Sequence, residues 1–198
     1  MKIFTFLILI SLESYSQGIK IQYNPEKEKI YLDEIYHVFY RTQYSYNYDS
    51  IKGLVNYIEP SIYSNDSIRY NFSNTTIQIA RNKFNPSNHK LSYKNLGRGP
   101  YVYKIDDVIF QRSNDLDTPN TKLSYFSFSV NGKTVPIPPS AYCDLYDPTL
   151  QINGAPYMSV LQSLDKQRAY VSIEGESAGY HVIFIFDKRQ YIGRILRF

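Results

Sequence analysis

The chain has 198 residues, of which 43% are hydrophobic, 20% charged and 16% aromatic, and it carries 21 Tyr, 11 Phe and no Trp. Such a balance excludes a disordered polymer, and a mean hydropathy of −0.39 excludes a polytopic membrane protein. A formal net charge of +4 is too small to be a nucleic-acid footprint on a chain of this size.

The first segment reads as an address. Met1-Lys2 forms a short positive region, Ile3 to Leu12 an apolar run, and Ser14-Tyr15-Ser16 a small-residue cleavage signature. These are the three parts of an export leader. Cleavage is expected after Ser16, with Gln17 or Gly18 as the alternative new N-terminus. The apolar run is about half of what a spanning helix requires, and no later stretch is long and apolar enough to span. The sequence therefore predicts a leader over 1–16 and a single β-rich globular domain over 17–198, exported to the periplasm or beyond. Loss of Lys2 and Glu13 removes one charge of each sign, so the mature chain stays at +4.

Two readings compete for residues 19–41. Ile19 to Tyr23 alternates, Asn24 to Lys27 offers a turn, and Ile30 to Leu32 returns, which is a hairpin of residues suited to strands. Alternatively, Asn24-Pro25-Glu26 caps a short helix, with Tyr31, Ile35, Val38 and Phe39 on one face. Strand composition favours the hairpin, and the helix stays open. Tyr44, Tyr46 and Tyr48 then alternate with polar residues. As a strand they would present three phenol rings on one face, able to stack on sugar rings or to anchor a protein. The plainer reading is that they cap the core with their hydroxyls in water.

From Ser64 to Asn95 the chain is rich in Asn and Ser, which predicts short strands and long loops. Gly97-Arg98-Gly99 is like a phosphate loop only superficially, because no helix is signalled after Pro100. Asn114, Asp115, Asp117 and Asn120 could offer oxygens to Ca²⁺, but the Gly and terminal Glu of an EF-hand loop are missing. A solvated loop is the plainer assignment.

The second half gives sharper signals. Ser124, Phe126, Phe128 and Val130 alternate with Leu123, Tyr125, Ser127 and Ser129, and Asn131-Gly132 follows. That dipeptide suits a type I′ turn, returning through Lys133 to Ile137 with Val135 and Ile137 inward. Pro136, Pro138 and Pro139 cannot donate ladder hydrogen bonds, so this arm must be a sheet edge or leave the sheet quickly. The lone Cys143 cannot form an internal disulfide and is expected to be buried as a small apolar residue. Ala169 to Ile173 and Tyr180 to Phe186 read as strands, with a loop at Asp187 to Gln190 and a last strand over Tyr191 to Phe198. The strand from Tyr180 is apolar on both sides, so it should be covered on both.

Val130 to Pro148, together with Gly175 to Phe184, is similar to segments of small exported proteins of Gram-negative bacteria. The resemblance spans residues 120–198. It implies a β-rich exported chain and assigns no site, since those proteins have no established activity.

No catalytic set emerges. His37, His89 and His181 lack metal-clamp spacing, and His181 is expected to be a satisfied structural residue. Gly175-Glu176-Ser177-Ala178-Gly179 fits the bare G-x-S-x-G pattern, yet a strand follows it rather than a helix. Asp144, Asp147 and Asp165 could include a carboxylate pair for glycoside hydrolysis, but their spacing in the fold is not readable from sequence.

The expected fold is all-β, an antiparallel sandwich that is immunoglobulin-like or a partly open barrel, with one short helix near the N-terminus as an option. The expected function is a non-enzymatic binding domain of the cell envelope, without cofactor or metal, that recognises a protein partner as an inhibitor or immunity protein does. A glycan-binding module using Tyr44, Tyr46 and Tyr48 is the first alternative. An envelope hydrolase is the second, and the oligomeric state is left open.

Overall fold

A computed structural model describes residues 55–95, 97, 99–110, 118–176 and 179–197. In chain order the strands among them are β1 (Val55–Ile58), β2 (Ile62–Tyr63), β3 (Ser67–Phe72), β4 (Thr75–Lys83), β5 (Leu91–Asn95) and β6 (Pro100–Ile105). Next come β7 (Val108–Ile109), β8 (Thr121–Val130), β9 (Lys133–Val135), β10 (Pro148–Thr149), β11 (Gln151–Ile152) and β12 (Ala155–Pro156). The last four are β13 (Ser159–Ser163), β14 (Arg168–Gly175), β15 (His181–Asp187) and β16 (Gln190–Arg197). Two single 3₁₀ turns, Pro86–Asn88 and Pro139–Ala141, are the helical pieces among the described residues. None of the described helices is long and apolar enough to cross a membrane.

Two antiparallel sheets face one another. One has the order β2-β3-β4-β8-β9, and the other β1-β13-β14-β15-β16 with β10 also paired to β14. Neither closes into a barrel among the described residues, so the fold is an all-β sandwich. Alternation dictates the core. Ile68, Tyr70, Ile77, Ile79, Phe126 and Phe128 point from the first sheet at Val160, Val171, Ile173, Val182, Phe184 and Phe186 of the second. The rings interlock: Phe128 stacks on Phe186 at 3.9 Å, and Phe126 meets Phe184 edge-on at 4.6 Å. Each such ring contributes roughly 1.5–3 kcal/mol by burial.

The Asn131-Gly132 turn forms as its chemistry requires, with φ of 53° and 72°, and β9 is an edge strand. Val135 is buried and Ile137 half-buried against the core. The alternation of the two β8 faces is broken at Ser124. The register against β4 slips between Ala80 and Arg81, which pair with Tyr125 and Leu123. Ser124 is the extra residue of this bulge. It sits exposed, while Leu123 and Phe126 on either side of it both turn inward. Cys143 is a correction, being exposed rather than buried. It lies in the Pro139–Asp147 loop, where the neighbouring Ala141, Leu145 and Tyr146 take the inward places.

β15 is covered on both faces, as a strand apolar on both sides demands. Val182, Phe184 and Phe186 are 0–1% exposed on the core side, and Ile183 and Ile185 are 0–3% exposed on the other. A third sheet, β5-β6-β7, attaches through its own small core of Phe84, Val102, Ile105 and Tyr146.

Candidate binding surface

The third sheet owes its shape to one bulge. Ser92 pairs with Lys104 but Tyr93 pairs with Val102, so Tyr103 is the extra residue. The slip lets Val102 and Ile105, three apart, both face Phe84 and Tyr146. It also leaves Tyr103 on the opposite side, flanked by two cations. Lys94 Nζ lies 4.4 Å from the ring centroid and Lys104 Nζ 5.6 Å. Tyr101 is the cross-strand neighbour of Lys94, and Ile109 that of Lys104. At exposed sites each cation–π contact is worth about 0.5–1 kcal/mol, enough to orient an ammonium group over a ring.

Turn chemistry holds this sheet in place. β5 and β6 are joined through Gly97 and Gly99, with φ of +83° and +110°. Asp106 and Asp107 make the β6–β7 turn with φ of 52° and 66°. The Asp106 carboxylate accepts the Lys90 N–H at 2.9 Å and the His89 Nδ1–H at 2.6 Å. These two bonds, that from His89 first, hold the Asp106 carboxyl below the usual carboxylate range. His89 stacks on Phe84 at 4.6 Å, which carries the turn onto the core. Lys90 is engaged by Asp107 at 2.9 Å, whereas Lys94 and Lys104 have no carboxylate partner among the described residues.

The result is an unusual composition for a small solvent face. Ile109 is 49% exposed there, beside the half-buried Tyr101 and Tyr103 and the two lysines, whereas the exposed Tyr93 and Val108 pair with Val102 and Ile105 and belong to the other face. Tyrosine carries much of the energy at recognition surfaces, and the lysines add positive charge.

The residues named from the sequence lie elsewhere. Tyr44, Tyr46 and Tyr48, His37, Asn114, Asp115, Asp117 and Ser177 fall outside the described residues. Asp144, Asp147 and Asp165 each serve the fold. Asp144 pairs with Arg194, and Asp147 accepts the N–H groups of Asn120 and Thr121. Asp165 accepts from Ser163 and from the Gln167 N–H. His181 Nε2 lies 2.6 Å from Ser172 Oγ, so it is satisfied as expected. Among the described residues no group of His, Cys, Asp and Glu is placed to hold a metal ion. A cleft with a cavity volume of about 10 Å³ opens beside Tyr146, Asp147, Gly175 and Tyr180, room for about one water molecule.

The Lys94, Tyr101, Tyr103 and Lys104 cluster was not singled out from sequence. Its signal, Tyr-Lys-Asn before the glycines and Tyr-Val-Tyr-Lys after Pro100, is an aromatic–basic pattern on both arms of a turn. The glycine pair drew attention to phosphate binding instead. No known family, curated protein or solved structure matches the chain.

Proposed function

We propose that this protein is an exported, non-enzymatic binding domain of the cell envelope that recognises an acidic protein partner, in the manner of an inhibitor or immunity protein. The observation that carries the reading is Tyr103 held between Lys94 and Lys104 beside Tyr101 and the exposed Ile109. Aromatic and aliphatic groups supply the desolvated centre of an interface, and the two cations steer an acidic surface to it. The leader-like first sixteen residues support the export part of this reading.

The test is capture from envelope extracts by the wild-type chain and by a Lys94→Glu/Lys104→Glu variant, with circular dichroism showing both folded. The expected result is a partner with an acidic surface that the wild type retains at low salt and the variant loses. Equal capture by both chains would remove this surface from the function.

A second reading, a glycan-binding module, is favoured by one specific feature. Tyr101 and Tyr103 lie beside the Lys94 and Lys104 ammonium groups, a combination suited to a sugar ring bearing a carboxylate. Affinity electrophoresis in alginate separates the two readings: retardation abolished by Tyr103→Ala supports the glycan, and unretarded migration removes it.

A further inference from the structure

The outer face of the first sheet, turned away from the sandwich core, is polar yet almost uncharged. Sheet register sorts its side chains into three rows that run across the strands. Asn71, Thr76, Ser129 and Thr134 stand opposite one another in the first. Arg69, Gln78 and Ser127 form the second, and Ser67, Ala80 and Tyr125 the third. Neighbours in a row are ~4.8 Å apart, and rows follow one another every ~7 Å along the strands. All of these residues are exposed or half-buried. Arg69 is the one charged group in the three rows, whereas about a quarter of an ordinary soluble surface is charged. The long polar side chains are oriented by one another. Arg69 Nη2 donates to Gln78 Oε1 at 2.9 Å, and Thr76 Oγ1 donates to Asn71 Oδ1 at 3.0 Å. With their oxygens engaged, both amides keep an NH₂ group to donate, and less side-chain freedom remains to be lost on binding. Tyr125 ends the third row with its side chain 47% exposed. Its cross-strand neighbour, Ala80, is too short to screen the ring from a ligand laid across the sheet. The bulge at Ser124 adjoins this ring, with Ser124 Oγ donating to the Ala80 carbonyl at 3.2 Å, and bulges are frequent beside sites because they re-aim side chains.

We propose that this face binds an extended, uncharged polysaccharide chain laid across the strands. Three features select that class of ligand. A sugar ring has an apolar C–H face and a rim of hydroxyls. Tyr125 meets the first, and the hydroxyl and amide rows exchange hydrogen bonds with the second. The rows hold no carboxylate and a single guanidinium, so a strongly charged partner would find no complementary charges there. One unit of an extended sugar chain also spans close to one strand spacing, ~5 Å, so successive units fall over successive strands. The face shares no residue with the Lys94, Tyr103 and Lys104 cluster, and it takes an uncharged chain where that cluster takes an acidic ligand.

The test runs the full chain in native gels cast with hydroxyethylcellulose, glucomannan or arabinoxylan, each an uncharged extended polymer. Expected is retardation in at least one of them that raised salt leaves unchanged, since no ion pair is involved. Tyr125→Ala should weaken that retardation about tenfold, and Gln78→Ala severalfold. Tyr125→Phe keeps the ring and should bind nearly as wild type does, and Tyr103→Ala should bind as wild type. Ser127→Arg sets a bulky charge in the middle row with Tyr125 intact and should abolish binding, with circular dichroism showing each variant folded. Migration of the wild type in all three gels equal to that in a polymer-free gel overturns the proposal. So does retardation that folded Tyr125→Ala and Ser127→Arg variants keep in full, or retardation that salt abolishes.

Discussion

Tyr70 donates its hydroxyl to the carbonyl of Met158 at 2.8 Å, joining the two sheets through the middle of the core. The ring is fully buried, and its partner lies 88 residues further along the chain. A phenol can occupy such a place only because its one polar atom is bonded; an unbonded one would cost a few kcal/mol.

Tyr70→Phe should therefore lower stability by about 1–2 kcal/mol, since the Met158 carbonyl loses its donor while the packing stays. The variant should also change the alkaline limb. Burial, and then the charges of Tyr57 and Glu59, push the Tyr70 phenol far above its ordinary 10.0. An acid whose pKa is raised by folding makes the folded state lose stability as pH climbs past the unfolded value, because only the unfolded chain then releases the proton. Urea midpoints of wild type between pH 9 and pH 11 should fall more steeply than those of Tyr70→Phe. Parallel slopes would mean that the hydroxyl is not enclosed.

Gly175 explains part of the G-x-S-x-G pattern without any hydrolase. A Cβ built on it would lie 2.5 Å from Tyr180 Cε1 and 2.6 Å from Cδ1. The Tyr180 ring is itself buried, so it has little room to yield. Gly175 also receives β10, pairing with Pro148. Gly175→Ala should cost roughly 1–3 kcal/mol, the usual range for overpacking. Adding Tyr180→Leu should recover part of that loss, and thermal melts of the four chains in the cycle would measure it. An additive double variant would place the cost elsewhere.

How far the sequence predicts this molecule depends on whether a residue's neighbours in the chain decide its place. The Asn131-Gly132 hairpin and the two-sided β15 were legible because local turn chemistry and alternation settle them. The turn after β15 was less so. It reads as a four-residue loop, but Asp187 pairs with Gln190, leaving Lys188 and Arg189 as a two-residue turn at φ of 47° and 68°. Neither residue advertises that conformation, which is imposed by the paired strands on either side. The bulges at Ser124 and Tyr103 are illegible for a related reason. Each is fixed by a partner strand distant in sequence, and each reverses the faces beyond it. The candidate surface depends on the second bulge, so alternation alone could not assemble it.

Asp106 offers a test on the acid side. The hydrogen bond from His89, followed by that from the Lys90 N–H, keeps its carboxyl below the ordinary range. The sign is the reverse of the tyrosine case. A carboxyl with a lowered folded pKa contributes stability above its unfolded value near 4, and that contribution is lost as pH falls through the folded pKa. The site is solvent-exposed, so the whole effect should stay within about 1 kcal/mol. Asp106→Asn should flatten the decline in urea midpoint between pH 5 and pH 3. A variant that declines as steeply as wild type would assign the acid limb to other carboxylates.

The Asp144–Arg194 pair should prove costlier to break than any surface contact. The guanidinium meets the carboxylate with two bonds, at 2.6 and 2.5 Å, and Nη1 also donates to the Ala141 carbonyl at 2.8 Å. Only 15% of the Arg194 side chain and 21% of the Asp144 side chain are exposed. The contact ties the Pro139–Asp147 loop to β16, so it sets the rim between the two sheets. Asp144→Ala strands a cation that is mostly out of water, for which a loss of roughly 3 kcal/mol is expected. Arg194→Leu in that background removes the stranded charge and restores an apolar body beside Tyr191. The double variant should thus be more stable than Asp144→Ala alone, with a coupling energy above about 1 kcal/mol in a double-mutant cycle. Equal midpoints for the single and double variants would show that the arginine reaches water once its partner is gone, and that the loop is held by Ala141, Leu145 and Tyr146 packing instead.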